Sequence, residues 1–307
     1  MGDAPEITLK SWLMVLTLGI VWGGTFLFQN LALRSTPPFW VASARIVFAG
    51  VLTFAIWRLR GGRLFTTAQT DWPRLIAVSV LSSALPFMFL SWGQLHVTSA
   101  YTGVSMATVA LFVLPLAHFL VPGERMTWRR SAGFVLGFVG VVLLIGPKAF
   151  SSTGEPLEAA GRLACLAAAA CYAISSIMIR RLPPVDAFGL TFAVLGFGAI
   201  VVLPAALIAH GAPPNPGPQG LAILALLGLV PTAGANLLRI LVIRSAGPVF
   251  MSLTNYLVPL FAVLFGASFL GDALPTSLVT AMMFILCGVG LSQLGALRRL
   301  FGRSPAP

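Results

Sequence analysis

The chain has 307 residues, of which 58% are hydrophobic and only 9% are charged, and its formal net charge is +11 at pH 7. A soluble core does not need that much apolar surface, so most of the chain is expected to lie in lipid. The basic residues form short clusters between apolar runs, a pattern that is typical of membrane topology and that excludes nucleic acid from the expected partners.

Ten apolar runs are long enough to cross the hydrocarbon layer as helices, because one crossing takes about 20 residues. The segment before the first run contains Asp3 and Glu6 and lacks the basic region and cleavage site of a signal peptide, so this run is expected to stay as a span. We therefore predict an all-α membrane protein. The ten predicted transmembrane helices are residues 11–31, 39–59, 74–95, 99–120, 131–147, 162–181, 187–209, 220–243, 247–268 and 276–297.

The basic residues predict the orientation. With a cytoplasmic N-terminus, fourteen Lys and Arg residues fall on the inner side and three on the outer side. Because cytoplasmic loops carry the excess of positive charge, we predict that both termini are cytoplasmic in a bacterial-type inner membrane. Six of the seven tryptophans lie near predicted span ends, whereas Trp22 lies at the centre of the first span.

A sequence pattern occurs twice, at a shift of 148 residues. Gly123-Glu124-Arg125 and the later Gly140-Val141 return as Gly271-Asp272 and Gly288-Val289. The pattern indicates a duplication, with five helices in each copy. Because five is odd, the second copy must enter the membrane from the opposite side, which gives the inverted repeats of secondary transporters. The predicted repeats are residues 11–147 and 161–297.

Prolines interrupt the predicted helices at related places in the two halves. Pro86 and Pro231 lie in the third and eighth spans, and Pro115 and Pro259 lie in the fourth and ninth. Paired interruptions indicate a transport site between the halves. The alternative is that proline is simply frequent in membrane helices.

Polar and aromatic residues of these spans recur at helical spacing, as Thr232, Asn236 and Arg239 do at i, i+4 and i+7. Each set either lines a cavity or forms hydrogen bonds between helices, and both interpretations remain open. Trp22 and its repeat partner Tyr172, with Tyr256, form aromatic walls or pack against neighbouring helices. The predicted substrate-binding residues are Trp22, Pro86, Tyr101, Ser105, Thr108, Phe112, Tyr172, Thr232, Asn236, Arg239, Ser252, Asn255 and Tyr256.

Charges inside the predicted spans are few. None of the eight acidic residues lies in a span interior, so proton coupling through a membrane carboxylate is not expected. Arg239 either binds a substrate carboxylate or extends to the inner surface, and its position near that surface favours the second interpretation. Arg45 is similarly placed with respect to the outer surface.

No metal or cofactor is predicted, because the three cysteines lie inside apolar runs without the spacing of metal ligands. Acid-base groups do not cluster at one depth, so an enzyme is not expected. Gly133 and Gly137 form a GxxxG pattern in the fifth span, which indicates a helix contact within the bundle or in a homodimer.

The chain resembles the drug/metabolite transporter superfamily, in its EamA-like group with two five-helix repeats. The resemblance rests on Trp22-Gly23-Gly24-Thr25-Phe26, Arg45 followed by Ala49-Gly50, Gly123-Glu124-Arg125 and Gly140-Val141. It implies an inner-membrane transporter that works by alternating access, commonly as an exporter of amino acids or other small metabolites. The aromatic residues near the midplane are similar to those of the branch that exports aromatic amino acids.

We therefore expect a secondary transporter that exports amino acids, aromatic or broad-range, or related small metabolites. Its expected partners are a small-molecule substrate and membrane lipid, and a homodimer remains open. The alternatives are a sugar, nucleotide-sugar or drug carrier of the same fold and, from another class, an intramembrane enzyme. Facilitated diffusion, exchange and proton antiport all remain open as modes of transport.

Overall fold

A computed structural model describes residues 7–97, 99–146, 152, 154–270 and 277–295 of the chain. These residues form ten helical segments and no β-strand, and an isolated bridge joins Phe65 to Val185. The segments are α1 (Leu9–Leu33), α2 (Pro38–Leu59), α3 (Trp72–Gly93), α4 (Ser99–Leu120), α5 (Trp128–Ile145), α6 (Glu158–Arg181), α7 (Ala187–His210), α8 (Gly217–Ala246), α9 (Pro248–Phe269) and α10 (Leu278–Ser292).

Eight of these helices are long and apolar enough to cross a membrane by length and composition, and they are all but α4 and α10. Two shorter apolar helices cover Ser105–Leu120 and Leu278–Ser292. The all-α, multi-pass character predicted from composition is thereby confirmed. The count of ten transmembrane helices stays a prediction, and Gly271-Asp272 lies outside the described residues.

Several helices begin at a polar side chain that satisfies an otherwise free backbone N–H group. Asp71 accepts from the N–H of Arg74 before α3, and Thr127 accepts from the N–H of Arg130 before α5. Asp186 does the same for Gly189 at the start of α7. These N-caps replace water where a helix begins, so the helix ends are fixed by local chemistry as well as by hydropathy.

The two halves of the bundle show the same pattern of helix contacts. The pattern is kept when α1–α5 are exchanged, in order, with α6–α10. Helix α1 packs on α8 and α9, and correspondingly α6 packs on α3 and α4. Helix α2 packs on its own counterpart α7, and α5 packs on its own counterpart α10. The division into repeats at 11–147 and 161–297, and their inverted relationship, stay predictions that this packing agrees with.

Glycines bring α5 and α10 to backbone contact. A Cβ atom added at Gly288 would lie 2.5 Å from the amide nitrogen of Gly137, and one added at Gly133 would lie 2.6 Å from the Gly288 carbonyl oxygen. The GxxxG pattern of α5 therefore serves a contact within one chain. A homodimer stays a prediction.

One proposed repeat pair, α3 and α8, is interrupted at matching places, and α9 is also interrupted, whereas its proposed partner α4 is continuous. α3 contains a π-helical turn at Val80–Ala84, two residues before Pro86, and α8 contains one at Gly228–Gly234, around Pro231. α9 is broken at Leu253, between Ser252 and Thr254. Because proline has no backbone N–H and a π turn widens the helix, carbonyl groups become available to other partners at these points.

Candidate functional site

An internal cavity lies where α1, α2, α3, α4, α6, α8 and α9 meet, and its volume is about 120 Å³. Six of the predicted site residues line it, namely Trp22, Tyr172, Asn236, Arg239, Ser252 and Asn255. The other lining residues are Thr25, Gln29, Arg45, Phe87, Leu90, Ser91, Met106, Val109, Ser176, Pro231, Met251 and Val258. Aromatic, amide and guanidinium groups from helices of both halves thus surround one space.

The aromatic side of the cavity is tied to the interruption of α8. Trp22 donates from Nε1 to the carbonyl oxygen of Pro231 at 3.1 Å. The π turn exposes this carbonyl, so the interruption holds the indole of α1 in place. Tyr172 of α6 lines the same cavity. The two residues that the proposed repeat relates therefore share one cavity.

Arg45 of α2 lies inside the bundle with only 8% of its surface exposed. Its Nη1 donates to Gln29 Oε1 at 2.6 Å, and its Nε donates to Thr232 Oγ1 at 3.2 Å. Its guanidinium carbon lies 4.7 Å from the ring centre of Phe87, a cation–π distance. Side chains of three neighbouring helices therefore hold the Arg45 side chain inside the bundle, and it does not extend to a surface. The position of Arg45 near the outer end of its span stays a prediction.

Arg239 of α8 is 4% exposed and is held by hydroxyl groups of two other helices. Nη2 donates to the Oγ atoms of Ser175 and Ser176, each at 2.9 Å, and Nη1 donates to Ser82 Oγ at 3.3 Å. The interpretation that Arg239 extends to the inner surface is therefore wrong. These hydrogen bonds keep the guanidinium at the cavity, beside the ring of Tyr172.

Both arginines lack a carboxylate partner among the described residues. The ion pairs within 4.0 Å in this part of the chain join Arg74 to Asp71, Arg130 to Glu124 and Arg162 to Glu158. The acceptors that Arg45 and Arg239 use are neutral hydroxyl, amide and carbonyl oxygens. Because a buried charge is costly unless it is paired, the described lining gives the cavity an uncompensated positive charge.

The predicted polar residues of α4 do not line the cavity. Ser105 donates to the carbonyl oxygen of Thr102 at 2.8 Å, and Thr108 donates to that of Ser105 at 2.5 Å, so both hydroxyls are satisfied by their own helix. The neighbouring face, with Met106 and Val109, points to the cavity instead.

The remaining predicted site residues also lie off the cavity surface. Phe112 is 37% exposed, and the ring centre of Tyr101 lies 5.0 Å from the guanidinium carbon of Arg162. Tyr256 is fully buried and donates its hydroxyl to the Phe134 carbonyl oxygen at 2.8 Å. Pro86 is buried beside the π turn of α3, and Thr232 is covered while it accepts from Arg45.

Several lining residues were missed although the sequence contains a signal for them. Thr25 and Gln29 follow Trp22 at i+3 and i+7, so they share its helical face. Arg45 is a single cation in an apolar span, and such a residue is by default a candidate for a functional site. The Phe87 and Ser91 spacing of i, i+4 was a further signal.

A bundle of long apolar helices around an internal aromatic and cationic cavity defines a multi-pass membrane protein with the architecture of a small-molecule transporter. The family model for "EamA-like transporter family" matches residues 9–146 and 159–293. The chain therefore belongs to the EamA-like transporter family. The coarser part of the resemblance is confirmed, while the aromatic amino-acid exporter branch stays a prediction.

Curated relatives agree with this assignment, and a solved structure shares the fold. The chain is 22% identical to "Uncharacterized transporter YoaV" of Bacillus subtilis (strain 168) over 95% of this chain and 99% of that protein. It is 26% identical to "Uncharacterized inner membrane transporter YedA" of Escherichia coli (strain K12) over 94% and 91%. A third relative, 24% identical over 88% and 85%, is the "S-adenosylmethionine/S-adenosylhomocysteine transporter" of Chlamydia trachomatis serovar L2. A solved crystal structure shares the fold with a TM-score of 0.75 at 21% identity, over 94% of this chain and 98% of its own.

Proposed function

We propose that this protein is a secondary transporter that exports amino acids, aromatic or broad-range, or related small metabolites by alternating access. The observation that carries the proposal is the internal cavity, in which Trp22 and Tyr172 lie beside the amides of Asn236 and Asn255. Aromatic rings bind a flat or apolar substrate body, and the amide and guanidinium groups orient its polar groups. The other seven predicted residues are not part of the cavity lining, so the proposal assigns them no contact with the substrate.

Movement of helices around a fixed site is supported by the interruptions. Pro231 of the α8 π turn and Ser252 beside the break in α9 line the cavity, and Phe87, which also lines it, follows the π turn of α3 by three residues. A helix bends most easily where its hydrogen-bond ladder is interrupted. We propose that the repeats at 11–147 and 161–297 are inverted and rock against each other. In this arrangement both termini lie in the cytoplasm.

Among the described residues that line the cavity, none is Asp or Glu. The proposal therefore does not use a carboxylate as a proton relay, and it leaves the substrate gradient or a counter-substrate as the driving force. No cofactor and no metal enters the proposed cycle.

Uptake into proteoliposomes tests the proposal. The purified protein is reconstituted, and uptake of labelled aromatic and aliphatic amino acids is measured with and without an imposed pH gradient. We expect saturable uptake that Trp22→Ala and Asn255→Ala both weaken, whereas Trp128→Ala, at a residue that is 85% exposed, leaves uptake unchanged. An absence of amino-acid uptake under both conditions would contradict amino-acid transport.

A second candidate is a carrier of sugars or nucleotide sugars with the same fold. Such a carrier needs more than one basic group at the midplane, and Arg45 joins Arg239 at the cavity. Labelled sugar phosphate offered in the same vesicles decides between the candidates. The two cavity arginines disfavour cationic drugs as substrates, and the names of the relatives as transporters disfavour an intramembrane enzyme.

A further inference from the structure

The two cavity arginines meet α8 at different heights. Arg45 contacts α8 through Thr232 Oγ1, and Arg239 is itself part of α8, seven residues further on. At a rise of 1.5 Å per residue, these points are about 10 Å apart along the helix axis. Both guanidiniums line the cavity, and we call them its two poles.

Each guanidinium keeps hydrogen-bond donors for a ligand. A guanidinium has five N–H donors. Among the described residues, Arg45 Nη2 and Arg239 Nε have no acceptor, while the other nitrogen atoms donate to neutral oxygens. Both side chains line the cavity, so a ligand inside it can accept from each of them.

The charge balance selects among ligand classes. A zwitterionic amino acid brings no net charge, so it leaves the two positive charges of the described lining uncompensated. A ligand with two anionic groups can pair one with each guanidinium, and charge-assisted pairs of this kind are strong where water is excluded. A cationic ligand adds a third positive charge and is disfavoured.

The space between the two poles suits a flat apolar body. Trp22 and Tyr172 lie on the cavity surface, and Phe87 lies under the guanidinium of Arg45. Aromatic faces bind a ring by stacking and by burial of apolar surface. The cavity therefore combines aromatic walls with two anion-binding groups.

We propose that the cavity binds a short organic dianion with a flat apolar body, one anionic group at Arg45 and the other at Arg239. The anionic groups are carboxylates or phosphates, since a guanidinium pairs with both. This inference rests on the proposed function, because it names the substrate class of the same cavity.

A series of ring compounds that differ mainly in charge tests the assignment. Binding of isophthalate, benzoate, benzamide and L-phenylalanine to the purified full-length protein is measured by calorimetry. We expect isophthalate to bind at least about tenfold more tightly than benzoate, and benzamide to bind most weakly. Equal affinity for isophthalate and benzamide, or tighter binding of L-phenylalanine, would overturn the proposal.

Variants of the two arginines test whether each one binds an anionic group of the ligand. Arg45→Gln and Arg239→Gln should each reduce the isophthalate affinity to that of benzoate, while Arg34→Gln, at an exposed position after α1, should leave it unchanged. Ligand-free unfolding curves show which variants are folded. Undiminished isophthalate binding by folded glutamine variants would also overturn the proposal, and if a variant does not fold, the wild-type charge series decides alone.

Uptake separates this inference from the proposed function. If isophthalate binds through both arginines but neither isophthalate nor any amino acid enters proteoliposomes, the dianion site stands and the transport proposal fails. If L-phenylalanine enters saturably and isophthalate neither binds nor enters, transport stands and the dianion proposal fails.

Discussion

The indole Nε1–H of Trp22 donates to the carbonyl oxygen of Pro231 at 3.1 Å, and this hydrogen bond joins the centre of α1 to the π turn of α8. Trp22→Phe keeps an aromatic ring and removes the donor, so we expect a loss of about 1 kcal/mol in the free energy of unfolding and a weaker substrate affinity. Denaturant unfolding and uptake in proteoliposomes measure the two effects. Trp128→Phe, at an exposed residue, is the control, and an unchanged substrate affinity in Trp22→Phe would contradict a role for the indole at the cavity.

Tyr256 and Tyr172 should respond differently to loss of the hydroxyl. Tyr256 is fully buried and donates to the Phe134 carbonyl at the contact of α5 with α9, so Tyr256→Phe should lower the free energy of unfolding by about 1 kcal/mol and leave the substrate affinity unchanged. Tyr172→Phe should change the affinity rather than the stability, because Tyr172 lines the cavity. The reverse result would place the substrate at Tyr256.

Two glycines of α10 provide a matched pair. An added methyl group at Gly288 meets backbone atoms of α5, the nearest at 2.5 Å, whereas one at Gly290 meets no atom within 4 Å. Gly288→Ala should therefore destabilise the protein by about 1–3 kcal/mol, and Gly290→Ala should be neutral or slightly stabilising. Unfolding temperatures in one detergent measure the difference. Equal effects would mean that α5 and α10 do not touch at Gly288.

The loop between α4 and α5 should contribute a pH dependence of stability. Burial raises the pKa of the Glu124 carboxyl above its ordinary value, and Arg130, 2.8 Å away, opposes that shift. The folded state then binds more protons than the unfolded state between the two pKa values, so stability falls as the pH rises through this window and is constant above it. Unfolding temperatures from pH 4 upwards should show this fall, and Glu124→Gln should remove it.

Arg130→Gln serves as the companion variant. Loss of the opposing charge should raise the pKa of Glu124 further, so the fall in stability should extend to a higher pH. An identical pH profile in wild type, Glu124→Gln and Arg130→Gln would show that this carboxyl does not titrate with folding.

Hydropathy and charge clustering were enough to predict an all-α, multi-pass protein, since lipid requires helices with satisfied backbones. They placed the start of α5 at residue 131, whereas the helix begins at Trp128 because Thr127 caps it. The hydropathy of a window of residues does not show a capping hydrogen bond, so it cannot give the first residue of the helix.

Site prediction was weaker, because a polar side chain in a membrane helix has more than one way to be satisfied. The hydroxyls of Ser105 and Thr108 bond to their own helix, so helical spacing alone selected the wrong face of α4. Arg239 required knowledge that Ser175 and Ser176 lie opposite it, 63 or 64 residues away in sequence, and spacing within one helix does not show such partners.

Arg45 and Arg239, which have no carboxylate partner in the part of the chain that the structure describes, also make the empty protein sensitive to the membrane potential. One elementary charge that moves through the whole field exchanges about 2.3 kcal/mol with a potential of 100 mV. A cavity with two uncompensated positive charges is therefore sensitive to the potential when empty and becomes electrically neutral when a dianion fills it. Because the interior of a cell is negative, the potential favours the return of the empty, positively charged site from the outer to the inner face. A cell membrane would therefore favour one-way release of the anion over exchange of one anion for another.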